Sequence, residues 1–228
     1  MVDAPAVPRA VDGYQPTSID INDIDDIDDI TRETTTYIRM DLKDVTTYLG
    51  LAAVYLLSVN VLLGLLMSAR YNPWKRWPHR RINLLKLHNW TGYVGLALSA
   101  LHPIPLLFME KPRFSLANVL VPVSSPEQPV INTVGALALY LLAFTVVTSI
   151  YRAAIGRRRW KMLHYLTYLL AALLIIHGTL TDQHLDNSAV DLFDAEKVGI
   201  MACGVVILAA TIVRFRWTAR HPKFEPRT

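Results

Sequence analysis

Residues 87–103 read LHNWTGYVGLALSALHP and residues 163–178 read LHYLTYLLAALLIIHG. Each is an apolar run with a histidine near either end: His88 and His102 in the first, His164 and His177 in the second. The steps are fourteen and thirteen residues. At about 1.5 Å of rise per helical residue, each pair is separated by roughly 20 Å along a helix axis. That is a large part of a hydrocarbon core about 30 Å thick. Both runs are therefore expected to be membrane helices carrying one histidine near each surface.

Composition agrees. Of 228 residues, 52% are hydrophobic, and the mean hydropathy is +0.28. The apolar residues cluster into five long runs, at about 46–69, 83–107, 131–151, 160–180 and 195–214. The expected fold class is an all-α integral membrane protein, a bundle of about five transmembrane helices. Cys203 is the single cysteine, which excludes an intramolecular disulfide and a cysteine-based metal centre.

Residues 1–45 are expected to form an acidic, disordered tail. The first thirty carry eight Asp against one Arg, within a Pro-rich start and the repeat IDINDIDDIDDI. The repeat lacks the central Gly and distal Glu of an EF-hand loop. No basic-then-apolar signal peptide is expected at the start. Residues 46–215 are the expected membrane domain, and 216–228 a basic tail.

Charge assigns a topology. The loops after the first and third runs, with the C-terminal tail, hold 16 of the 23 Lys and Arg. By the positive-inside rule, these segments are cytoplasmic and the N-terminus lies outside. A prokaryotic cytoplasmic membrane is the expected location. The basic residues flank spans, so lipid headgroups account for them and no nucleic-acid partner is expected. All five Trp (Trp74, Trp77, Trp90, Trp160, Trp217) fall at the basic end, as an interfacial belt would.

The second and fourth runs are then parallel, which brings His88 level with His164 and His102 level with His177. A haem iron takes two axial nitrogens on opposite faces of a flat macrocycle, and neutral imidazole suits iron. Two haems are thus expected between helices 2 and 4. A step of fourteen leaves His88 and His102 within about 40° of one another around the helix. Gly92, Gly95 and Ser99 share that face and admit either a macrocycle or a close helix neighbour. A step of thirteen puts His164 and His177 about 140° apart on an ideal helix. Either the helix is distorted, for example by a π-bulge, or the haems lie off different flanks. Gly178 is a further candidate for close approach. Arg80, Arg81, Arg158 and Lys161 are candidate partners of the inner haem's propionates, and Lys111 and Arg113 of the outer one's. His79, His184 and His221 read as surface residues.

The two runs, together with the pattern of Trp160, His164 and Tyr168, resemble the transmembrane domain of the ferric reductase-like superfamily. That group includes ferric reductases, NADPH oxidases and the haem-binding membrane subunit of the bacterial methionine-sulfoxide reductase system. The resemblance covers about residues 46–215 and implies two b haems with His88, His102, His164 and His177 as axial ligands. It also implies electron transfer across the membrane. The family core usually has six spans, against five here. The sequence has no G-x-G-x-x-G dinucleotide motif. Electrons are therefore expected from a cytoplasmic flavoprotein or a quinol, with FMN, FAD or quinone supplied by or shared with that partner. An extracytoplasmic acceptor is expected to take them. The chain reads as the membrane component of an oxidoreductase rather than a complete enzyme. The alternatives are a non-redox membrane assembly subunit and a quinol-oxidising cytochrome b anchor.

Overall fold

In a computed structural model, residues 21–69, 83–181 and 192–220 are described. Helix α1 spans Ile21–Ser68 and α2 spans Leu84–Leu101; a 3-10 turn follows at Ile104–Phe108. After the short α3 (Leu116–Leu120) and a second 3-10 turn come α4 (Pro129–Ile150), α5 (Arg152–Ile155) and α6 (Arg157–His164). Helices α7 (Leu166–Leu180) and α8 (Ala195–Arg220) complete the order, and no strand occurs among the described residues. Five stretches are long and apolar enough to cross a bilayer: Leu42–Ser68, Leu84–Phe108, Pro129–Ile150, Arg157–Leu180 and Ala195–Arg220. The protein is an all-α, multi-pass membrane protein, as its hydropathy requires.

The chain divides into two units, Met1–Ile38 and Arg39–Thr228. The first contains a departure from expectation. From Ile21 onward the segment expected to be disordered is helical. No Pro or Gly interrupts the sequence between Pro16 and Gly50, and aspartates near a helix start favour its dipole. Residues 1–20 lie outside the described residues. In the second unit the helices outrun the expected boundaries, with the first span beginning at Leu42 and α8 continuing to Arg220.

Local chemistry sets the helix ends. The Asn83 side chain caps α2 by accepting from the Lys86 backbone N–H at 3.1 Å. Pro103 follows the last residues of α2, where its missing N–H breaks the ladder. Pro129 opens α4, the position that tolerates it best. Gly156 joins α5 to α6 at φ +86°, a backbone state that a side chain would strain.

The fourth span is broken rather than bulged. Tyr165 separates α6 from α7. Around it the bonds are of the i to i+3 type, from Tyr165 N–H to Met162 O (3.2 Å) and from Tyr168 N–H to Tyr165 O (3.1 Å). This turn is overwound, so the helix is distorted in the sense opposite to a π-bulge. It changes the angular relation of His164 to His177.

The bundle packs through small residues. Within the second unit α2 lies on α4, α4 on α7, and α7 on α8. A Cβ on Gly95 would lie 2.5 Å from Leu57 Cδ2, so Gly95 is where α1 seats on α2. Gly178 faces Ile200 of α8 in the same manner, and Gly204 faces Ile175 of α7. Leu57, Ala138, Leu142 and Leu170 form the buried mid-bundle core.

Candidate functional site

The bundle brings the four histidines together as two pairs. The rings of His88 and His164 have centroids 6.3 Å apart and planes 75° apart. Those of His102 and His177 are also 6.3 Å apart, at 80°. A metal–imidazole bond is about 2.0–2.1 Å and the ring centre lies roughly 1.1 Å beyond the nitrogen, so two rings on opposite sides of one ion stand about 6.3 Å apart. Both pairs match that separation.

Three of the four rings are fixed by the same device. His102 Nδ1 bonds Thr46 O at 2.8 Å, His88 Nδ1 bonds Asn60 O at 3.0 Å, and His177 Nδ1 bonds Ile131 O at 2.9 Å. A carbonyl only accepts, so Nδ1 carries the proton and donates in each case. That leaves Nε2 with its lone pair, the form that binds a metal.

A helical carbonyl is normally covered. It already faces the N–H of residue i+4, and the Cβ of that residue leans back towards the helix N-terminus. Here the residue at i+4 is glycine each time: Gly50 after Thr46, Gly64 after Asn60, and Gly135 after Ile131. A Cβ on Gly50 would lie 2.9 Å from His102 Nδ1, on Gly64 3.4 Å from His88 Cε1, and on Gly135 2.6 Å from His177 Cε1. These glycines open the notches through which the imidazoles reach the carbonyls. Sequence reasoning missed them. The available signal was the fourteen-residue step from Gly50 to Gly64, which equals the step from His88 to His102.

Asn60, the polar residue in the middle of the first span, also belongs to this arrangement. Its side-chain amide donates to His88 O and to Thr91 Oγ1 (2.8 Å), joining α1 to α2 beside His88. The amide N–H groups are thereby satisfied, which a lipid surrounding demands.

Each pair borders a large cavity. The half-open His102/His177 cavity spans about 1410 Å³ and the His88/His164 cavity about 1100 Å³, space outside their mouths included. Leu142, Leu170 and Leu174 line both and form the floor between them. One cation borders each, Lys43 at the first and Arg152 at the second, among the described residues.

The candidates from sequence are placed unevenly. Gly92 lines the His88/His164 cavity, and Ser99 and Gly178 line the other. Gly95 lines neither, because Leu57 occupies its face. Arg158 and Lys161 are exposed and border neither cavity; Lys161 Nζ instead lies 6.0 Å from the Tyr165 ring. Arg152, one helical turn or more earlier, takes the place expected for them. Lys111 and Arg113 are likewise absent from the lining that Lys43 joins. Tyr168 stacks on Tyr165, packs against Phe215 of α8 and lines neither cavity. Arg80, Arg81, His79, His184 and His221 lie outside the described residues.

The model of one protein family, the ferric reductase like transmembrane component, matches residues 49–175. The chain belongs to this family. The match takes in more than half the chain and includes His88, His102 and His164. It ends two residues before His177, whose place in the set rests on the geometry of its pair. No curated protein and no solved structure matches the chain.

The donor set fits the haem that the family generally binds. Each pair supplies two imidazoles at the separation of opposed axial ligands, beside a cavity walled mainly by apolar side chains. Among the described residues no group of three or more His, Cys, Asp or Glu gathers around one point.

Proposed function

We propose that the chain carries electrons across a membrane through two b-type haems. One is held by His88 and His164, the other by His102 and His177. The observation that carries this reading is the repeated 6.3 Å ring separation at both ends of the bundle. Membership in the ferric reductase-like family supports transmembrane electron transfer as the general role. Bound haem supplies a one-electron couple at each end.

The chain's own residues do the rest. Thr46, Asn60 and Ile131 accept Nδ1–H through their carbonyls and hold three ligands in the metal-binding tautomer. Leu142, Leu170 and Leu174 keep the space between the sites apolar. Lys43 and Arg152 stand at the cavities as counter-charges for carboxylates. The Lys and Arg bias of the flanking segments supports a cytoplasmic His88/His164 end, and the membrane in this proposal is a prokaryotic cytoplasmic one. A flavoprotein or a quinol donates there, and an extracytoplasmic partner accepts at the His102/His177 end.

The test is haem stoichiometry followed by directional reduction. Purified protein is expected to give two haems per chain by pyridine haemochrome. His88→Ala and His102→Ala are each expected to give one. In vesicles, a membrane-impermeant reductant outside should reduce an acceptor trapped inside. A haem-free preparation from haem-replete cells would sink the proposal, as would two haems surviving in both variants.

A further inference from the structure

The device that fixes three histidines has a fourth position in the register of the helices. The notches on α1 are fourteen residues apart, at Thr46/Gly50 and Asn60/Gly64. On α4 the same step from Ile131/Gly135 arrives at Thr145/Ser149. This is the position that would serve His164, and two features close it. Thr145 O already accepts the Thr148 hydroxyl at 3.1 Å, and Ser149 carries a side chain where the other three notches have none. His164 Nδ1 is buried with no hydrogen-bond partner.

A different contact replaces the carbonyl. The Trp160 ring stacks on His164, with centroids 5.1 Å apart and planes 27° apart. Trp160 Nε1–H donates to Ser149 Oγ at 3.3 Å. The side chain that closes the notch therefore holds the indole that braces the histidine. Stacking restrains the ring but accepts no proton. It neither fixes the tautomer of His164 nor raises its basicity, as a carbonyl acceptor does.

Resting on the two-haem reading, we propose that the two sites are unequal. His164 is the exchangeable axial ligand among the four, and Trp160, held by Ser149, is its positioning residue. The other three ligands are locked by carbonyl acceptors. A small external ligand therefore enters at the His88/His164 site and is excluded from the His102/His177 site.

Carbon monoxide is the probe, added to the dithionite-reduced full-length protein and read by its difference spectrum. About half the haem is expected to bind it. The His102→Ala variant, which retains the His88/His164 haem, should bind it on nearly all its haem, and the His88→Ala variant on almost none. Trp160→Leu should speed binding roughly tenfold or more, in the range that outer partners of a metal ligand exert. Trp160→Phe, which keeps a ring to stack but loses the hydrogen bond to Ser149, should fall between the parent and Trp160→Leu. If Trp160→Leu does not accumulate, Ser149→Ala removes only the indole's acceptor and should shift the rate in the same direction. Binding at both sites, at neither, or only in His88→Ala protein overturns the proposal. So does a rate unchanged by Trp160→Leu or Ser149→Ala. A protein with two haems that fails these tests refutes the inequality alone; a protein without haem refutes the two-haem reading and the inequality with it.

Discussion

Replacing Gly135 by Ala adds one methyl group at the tightest point of the His102/His177 site. The new carbon would lie 2.6 Å from His177 Cε1 and 2.8 Å from Nδ1 and Nε2. Carbon atoms in ordinary contact stand about 3.5–4.0 Å apart, so the ring must retreat by roughly 1 Å. The same retreat takes Nδ1, now 2.9 Å from Ile131 O, beyond hydrogen-bonding range. Overpacking of this kind costs about 1–3 kcal/mol. Loss of a second partner of a metal-ligating histidine costs about 10–100-fold in affinity, which is the same order. The intrinsic helix preference for Ala over Gly acts the other way by about 1 kcal/mol. The clash therefore wins at the site while the bundle itself holds. The expected result is protein that accumulates normally, retains the His88/His164 haem, and loses most of the other. Haem per chain and the low-spin absorption bands report it. A Gly135→Ala protein with full haem and an unchanged spectrum would show that the notch does not position His177.

The other notches should rank with their clearances. Gly50→Ala, at 2.9 Å from His102 Nδ1, should weaken the same site, whereas Gly64→Ala, at 3.4 Å from His88 Cε1, should be nearly neutral in haem content. Gly95→Val should differ from all of these by forcing α1 off α2 at Leu57, with both haems lost together and a lowered thermal unfolding midpoint. Asn60→Leu removes the donor to His88 O and Thr91 Oγ1; a loss of about 1–3 kcal/mol is expected, read as reduced thermal stability with the His88/His164 haem lost first. Arg152→Gln removes the cation at that cavity and should lower haem retention there modestly during dilution into salt, with the His102/His177 haem unaffected.

Much of this protein is legible in its residue order. Hydropathy runs and the asymmetry of Lys and Arg depend on residue identity along the chain, and bilayer thickness converts them into spans. The five spans follow from that, and the level pairing of His88 with His164 and His102 with His177 follows from their parallel order. The break at Tyr165 is not legible, because an overwound turn and a π-bulge both answer the same thirteen-residue step. The helical backbone from Ile21 is not legible either, since acidic composition argues against a core but not against a helix.

What the tertiary structure decided lies between helices. Whether Gly95 meets a cofactor or Leu57, and whether Arg158 or Arg152 borders a cavity, depends on the register of one helix against its neighbour. No periodicity within a single span encodes that register. The same holds for the notches. Gly50, Gly64 and Gly135 acquire a role only because His102, His88 and His177 arrive opposite their carbonyls. The sequence by itself determined two pairs of histidines at two depths. Only the packed bundle determined which of the four are anchored, because a hydrogen bond to a covered helical carbonyl needs both the donor from one helix and the missing Cβ of another.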